Sequence, residues 1–128
     1  MTYTADASFV LAFLLPDEKK KSIDEYFKRF IEGKISLMSS AILPFEVLNG
    51  LKTAVLQKRL DEKTALVLAK AFLNLEIETK EVDFTNCLKI ACKQNITVYD
   101  ASYVYLSQAA KAPLLSLDKK LSRSRTIL

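Results

Sequence analysis

The sequence predicts an α/β fold in which helices cover both faces of a short, mainly parallel sheet. Short apolar segments of strand character alternate with helical segments along the whole chain, which is typical of such sheets. A chain of 128 residues can bury one substantial core, and the presence of only two glycines favours helices with short connections. We therefore expect a single domain over residues 1–128.

The first elements follow from apolar periodicity and from residues that stop helices. Residues 2–5 predict a short strand, and residues 7–15 predict a buried helix that ends near Pro16. Residues 17–31 predict an amphipathic helix, because apolar side chains recur at helical spacing among charged ones. Gly33 is expected to close it.

The middle of the chain repeats this order. A second strand is expected over residues 35–38, followed by a helix that Ser39 or Ser40 can cap. The core stripe of that helix comprises Leu43, Val47, Leu51, Ala54 and Val55. Asp61 starts another helix that runs to about Asn74. Its expected buried side chains are Ala65, Leu66, Leu68, Ala69 and Phe72.

The last third continues the alternation. The predicted strands occupy residues 75–79, 96–99 and 113–117, with a final fragment at 126–128. Helices are predicted over residues 82–94, from Asp100 to about Lys111, and as a short basic helix after Asp118.

Residue types that are missing narrow the possible chemistry. The chain has no histidine, which excludes Ser-His-Asp and Cys-His catalysis and zinc sites with imidazole ligands. The two cysteines, Cys87 and Cys92, fall on different faces of one predicted helix, so buried free thiols are favoured over a disulfide or a metal pair. Any chemistry must therefore rest on carboxylates, lysine, hydroxyl groups or a thiol.

Charge and hydropathy bear on location and partners. No apolar run reaches the roughly 18 residues that span a bilayer, and the first residues lack the basic region of a signal peptide. We expect a cytoplasmic protein with no membrane partner. The formal charge of +4 fits a polyanionic partner without demanding one.

Three aspartates fall where an apolar segment gives way to a helix, namely Asp6, Asp100 and Asp118. In a parallel sheet such positions share the edge at which ligand crevices form. Each aspartate alone is better explained as a helix N-cap, so the prediction rests on their joint placement. Glu46 differs, because it lies one turn into a helix beside the apolar stripe.

Several carboxylates that converge must take up protons or a cation. A hard divalent ion such as Mg²⁺ or Mn²⁺ prefers oxygen ligands, and water bound to such an ion can attack phosphorus without a histidine base. Ser8 lies two residues after Asp6, and Ser116 lies two residues before Asp118. Each serine can orient a carboxylate through its hydroxyl, or it can simply be a cap or turn residue.

Basic and aromatic residues flank the acids. Lys119, Lys120 and Arg123 follow Asp118 and can hold phosphates, although solvated helix faces explain such residues equally well. The tyrosines on either side of Asp100, Tyr99 and Tyr103, can stack a base, but core packing is the favoured role.

Four segments together resemble the successive motifs of PIN domains, and most closely the VapC-type toxin group of toxin–antitoxin systems. They are TADAS at residues 4–8, FEVLN at 45–49, YDASYVYL at 99–106 and LSLDKKL at 115–121. Their order and spacing and the chain length agree, so the resemblance covers essentially the whole chain.

This resemblance implies a three-layer α/β/α sandwich and cleavage of single-stranded RNA by an endonuclease that depends on Mg²⁺ or Mn²⁺. It implies that Asp6, Glu46, Asp100 and Asp118 are the metal-site acids and that Ser8 and Ser116 are supporting hydroxyls. Ser116 stands where the family often has threonine. It also implies a cognate antitoxin that blocks the site, and a homodimer. No acid follows Asp118 in this sequence, so the binding of a second metal ion stays an open question.

Two alternatives remain. A catalytically inactive PIN-like scaffold would bind RNA or protein without cleaving it. A phospho-accepting receiver domain has a similar length and class, but receivers place paired acids after the first strand, and here Ala7 and Ser8 follow Asp6.

Overall fold

The computed structural model describes residues 1–124, where it contains four strands and six α-helices. The strands are β1 (Thr2–Ala5), β2 (Ser36–Ser40), β3 (Glu78–Lys80) and β4 (Leu114–Leu115). The helices are α1 (Ala7–Leu14), α2 (Lys21–Ile31), α3 (Leu43–Leu56), α4 (Glu62–Asn74), α5 (Phe84–Gln94) and α6 (Val98–Ala110). Short 3₁₀ helices occupy Pro16–Glu18 and Lys119–Ser124.

The sheet has the strand order β3-β2-β1-β4, and its described pairs are all parallel. Thr4 of β1 pairs with Met38 of β2 on one side and with Leu114 of β4 on the other. The carboxyl ends of β1 and β4 therefore emerge side by side. This confirms the predicted three-layer α/β/α class with a short, mainly parallel sheet.

Helices cover the sheet and enclose the core. The α6 helix packs on β1 and β2 and is itself covered by α5, whereas α1 packs against α2, α3 and α4. Between α1 and α2 the rings of Phe9 and Phe13 stack on Phe27, with centroids 5.2 and 4.0 Å apart. Phe9 and Phe27 are fully buried, so these aromatic contacts hold α1 against α2.

The predicted strand over residues 96–99 is wrong. Thr97 caps α6 by accepting a hydrogen bond from the backbone N–H of Asp100, and the helix begins at Val98. The β-branched and aromatic residues of this segment have strand propensity, but the threonine cap and packing on α5 override it. Asp100 consequently lies in the first turn of α6 rather than at the end of a strand.

Other differences are local. Ser39 and Ser40 belong to β2, and the N-cap residue of α3 is Ile42, whose apolar side chain makes no capping hydrogen bond. The hydroxyl of Ser40 accepts a hydrogen bond from the backbone N–H of Ile42 at 3.4 Å, just before the helix. Leu66 was expected inside but is 60% exposed. Both cysteines are free, as expected, but only Cys87 is buried and Cys92 is exposed.

The predicted fragment at 126–128 lies outside the described residues. Within residues 1–124, no helix combines the length and apolar character needed to cross a membrane.

Candidate active site

All four predicted acids line one cleft of about 570 Å³ beside the carboxyl ends of β1 and β4. Each comes from a separate part of the chain: Asp6 between β1 and α1, Glu46 in the first turn of α3, Asp100 in the first turn of α6, and Asp118 between β4 and the last 3₁₀ helix. Folding thus gathers carboxylates that the sequence keeps far apart.

Asp6 is the most buried of these acids, with 3% of its surface exposed. It is the N-cap of α1, and its Oδ1 accepts hydrogen bonds from the backbone N–H of Phe9 at 3.0 Å and from the Ser8 hydroxyl at 2.7 Å. Its Oδ2 accepts a hydrogen bond from the Ser116 hydroxyl. The two predicted supporting serines therefore both contact Asp6.

The pKa of Asp6 is raised from 3.8 to about 6, because burial penalises its charged form. Hydrogen bonds from Ser116, Ser8 and Phe9 act in the opposite direction, and the charge of Asp118 adds to the rise. Asp6 is thus ionised at neutral pH but readily takes up a proton in mild acid.

The hydroxyl groups of Ser8 and Ser116 form hydrogen bonds that connect the segment around Asp6 with the segment before Asp118. The backbone N–H of Asp118 donates to Ser116 Oγ at 3.0 Å, and the backbone N–H of Leu117 donates to Ser8 Oγ at 2.9 Å. Asp118 in turn caps the following turn by accepting from the backbone N–H of Lys120 at 2.9 Å. Asp118 therefore has the capping role that the sequence allowed and also lines the cleft.

Asp100 faces a similar environment. Its pKa is raised by partial burial and then by the charge of Asp118, whereas the Thr97 hydrogen bond and the charge of Lys120 lower it. Asp118 therefore lies within electrostatic range of both Asp6 and Asp100.

Glu46 reaches this cleft from α3. Its Oε1 accepts a hydrogen bond of 2.6 Å from the hydroxyl of Tyr103 on α6. Its pKa is raised by burial and by the charge of Asp100, while the Tyr103 bond lowers it. Burial, followed by the hydrogen bond to Glu46, raises the pKa of Tyr103, so the phenol stays a donor.

The sequence prediction missed parts of this cleft. The expected core packing of Tyr103 is confirmed, since it is 1% exposed, but its place in the cleft lining was not predicted. Phe45 and Asn49 also line the cleft, together with the exposed Tyr99. A usable signal existed, because Phe45 adjoins Glu46 and shares a helix face with Asn49 four residues on.

The predicted phosphate-binding residues lie next to the cleft. Lys119 and Lys120 are exposed, and Lys120 acts electrostatically on Asp100. The backbone of Arg123 belongs to the last 3₁₀ helix, but its side chain lies outside the described residues.

The cleft acids suit a hydrated divalent cation. Among residues 1–124, no three acidic or thiol side chains form a compact, ready-made metal cluster. Yet the donors are all oxygens, and their mutual repulsion favours a positive charge between them. Mg²⁺ usually keeps several waters and binds few carboxylates directly, which fits acids that line a cleft without closing on one point.

Comparisons with known proteins support the fold and the family. The PIN domain profile matches residues 3–126 of the chain. Ribonuclease VapC3 of Pyrobaculum aerophilum is 27% identical over an alignment of 128 residues, and this alignment covers 95% of this chain and 93% of that protein. The crystal structure of PAE2754 from Pyrobaculum aerophilum has a TM-score of 0.77 to this chain at 23% identity, covering 99% of this chain and 81% of that one.

Proposed function

The chain belongs to the PIN domain family, and from this premise we propose that it is a metal-dependent endoribonuclease that cleaves single-stranded RNA. The family and the relative named as a ribonuclease support a nuclease. The observation that carries the proposal is the gathering of Asp6, Glu46, Asp100 and Asp118 in one cleft.

The four carboxylates would hold Mg²⁺ or Mn²⁺, with Asp6 and Asp100 as core ligands. When bound, the cation supplies charge neutralisation at the phosphate and lowers the pKa of a coordinated water. Hydrolysis with water would break the bond between phosphorus and O3′, leaving a 5′-phosphate and a 3′-hydroxyl. Glu46 and Asp118 would complete the site directly or through water.

The hydrogen bonds of Asp6 define how it would bind the cation. A carboxylate offers about four lone-pair positions, and those of Oδ1 are taken by Ser8 and Phe9. Ser116 takes one position on Oδ2. Asp6 would therefore hold the cation as a carboxylate whose orientation the two serines fix.

Residues around the cleft suit an unpaired nucleic-acid strand. Lys119 and Lys120 offer positive charge for phosphates. The exposed rings of Phe45 and Tyr99 line the cleft and offer faces on which unpaired bases can stack. Bases within a duplex are already stacked, so these rings favour a single-stranded substrate.

We further propose that the chain is the toxin of a VapBC-type pair, acts in the cytoplasm, forms a homodimer and is inhibited by a cognate antitoxin. The name of its relative, Ribonuclease VapC3, supports the first part. A protein partner would cover apolar side chains that are exposed on α3 and α4. They are Leu56, Leu66, Val67 and Leu73.

Cleavage assays with labelled single-stranded RNA, duplex RNA and single-stranded DNA test the proposal. We expect cleavage of single-stranded RNA with Mg²⁺ or Mn²⁺, none in a chelator, and none by Asp100→Asn with either ion. Asp61→Asn is the matched control, because Asp61 is an exposed N-cap of α4 outside the cleft. RNA binding without cleavage by the wild type across both metal titrations would instead establish the inactive scaffold.

A further inference from the structure

Tyr103 connects the core to the cleft. Its side chain is 1% exposed on α6 and belongs to the main hydrophobic cluster. A buried phenol needs a hydrogen-bond partner for its hydroxyl. Here the hydroxyl donates to Oε1 of Glu46, at 2.6 Å and across 57 residues of sequence.

Glu46 needs such a partner to stay in the cleft. Its side chain projects from the first turn of α3 and is only partly buried, so water competes for the carboxylate. The negative charge of Asp100 acts on it unfavourably. A charge-assisted hydrogen bond from a rigid, buried ring opposes both effects, because the ring itself cannot move without opening the core.

We propose that Tyr103 is a positioning residue that holds Glu46 for divalent-cation binding. Its hydroxyl donates to Oε1, and the carboxylate held in this way would serve as a ligand of the cation. This inference rests on the proposed function of the cleft. Tyr103 belongs to the lining of the cleft, and its proposed role is exerted through Glu46.

A double-mutant cycle tests this assignment. The variants are Tyr103→Phe, Glu46→Gln and the pair together. Tyr105→Phe is the control, because it makes the same change two residues along α6, where Tyr105 packs against the separate cluster of Cys87, Ala91 and Ala101. Mn²⁺ affinity is measured by calorimetric titration and RNA cleavage by kcat and KM, with a thermal melt to show that each variant is folded.

We expect Tyr103→Phe to weaken Mn²⁺ binding by about 10-fold, the lower end of the range for residues that orient metal ligands. The value of kcat should fall while KM for RNA changes less than about 2-fold. In the Glu46→Gln background the tyrosine substitution should have no further effect, because the two residues act as one unit. Tyr105→Phe should match the wild type.

The proposal would be overturned if Tyr103→Phe weakened Mn²⁺ binding by the same factor in the wild-type and Glu46→Gln backgrounds. It would also be overturned if Tyr103→Phe left the Mn²⁺ affinity of the wild type unchanged. Failure of the proposed function looks different, since the wild type would then bind Mn²⁺ without cutting RNA. In that case the Mn²⁺ cycle still decides whether Tyr103 positions Glu46.

Discussion

The hydroxyl of Ser116 donates a hydrogen bond to Oδ2 of Asp6 across 110 residues of sequence. This bond joins the segment after β4 to the start of α1. It also opposes the effect of burial on the Asp6 carboxylate, because it stabilises the charged form. The charge state of Asp6 therefore depends on a contact between the segments that follow the neighbouring parallel strands β1 and β4.

Ser116→Ala should raise the pKa of Asp6 further, so that a proton competes more strongly with a cation. We expect weaker Mn²⁺ binding at pH 7 that recovers toward pH 8.5, together with a stability loss of about 1–3 kcal/mol. Ser107→Ala is the control, since Ser107 is also buried and donates to the carbonyl of Ala112. It should lower stability without changing Mn²⁺ binding. Equal Mn²⁺ affinities at pH 7 in both variants would contradict this role for Ser116.

The raised pKa of Asp6 predicts how stability without metal depends on pH. The folded protein holds a proton on Asp6 up to about pH 6, whereas the unfolded chain loses it near 3.8. The free energy of unfolding therefore falls as pH rises through this interval, and the stability contributed by the protonated form is fully present only below it. Glu46 and Asp100 contribute with the same sign, because their pKa values are also raised.

Asp6→Asn should remove the largest part of this slope. Asparagine preserves the N-cap of α1 but carries no charge, so at pH 7 in a chelator the variant should be more stable by up to about 3 kcal/mol. Urea denaturation between pH 4 and pH 8 measures the difference, with Asp61→Asn as a control at an exposed N-cap. If the free energy of unfolding depended on pH in the same way in the wild type and in Asp6→Asn, the pKa of Asp6 would not be raised in the folded protein.

Phe45→Ala should weaken binding of single-stranded RNA. One stacked base contributes about 1–3 kcal/mol, which corresponds to roughly 5- to 150-fold in affinity. Phe84→Ala is a matched control, because Phe84 is 77% exposed on α5 and Phe45 is 80% exposed. Fluorescence anisotropy in a chelator separates binding from cleavage. If both variants lose affinity equally, the ring of Phe45 has no specific role at the cleft.

Gly50 allows the close approach of α1 to α3. A Cβ atom at this position would lie 2.3 Å from Cδ1 of Leu11, which also lines the cleft. Gly50→Ala should therefore displace the Leu11 side chain at a cost of about 1–3 kcal/mol, partly offset by roughly 1 kcal/mol of helix propensity.

The net loss of stability caused by Gly50→Ala should become a gain when the Leu11 side chain is shortened. In a Leu11→Ala background, Gly50→Ala should stabilise the protein, because only the gain in helix propensity remains. Urea denaturation of the four proteins measures this coupling. Additive effects would show that Leu11 is not the side chain that excludes a larger residue at position 50.

Much of the fold was predictable because local signals agree with tertiary packing. Asp6 and Asp61 cap the helices that their positions predicted, and Gly33 follows the end of α2 with a positive φ of 75°. The error at residues 96–99 has a specific cause. Strand propensity there is real, but it depends on neighbouring strands, and Thr97 instead starts a helix that packs on α5.

The sequence by itself determined the alternation of strands and helices, the absence of histidine chemistry and the four candidate carboxylates. Only the tertiary structure decided that these acids share one cleft, that Ser8 and Ser116 both hold Asp6, and that Tyr103 holds Glu46. Periodicity reports which face of an element is buried, but it carries no information on which distant element lies against that face. The pairings of Ser116 with Asp6 and of Tyr103 with Glu46 arise from strand order and helix packing, which only the complete fold specifies.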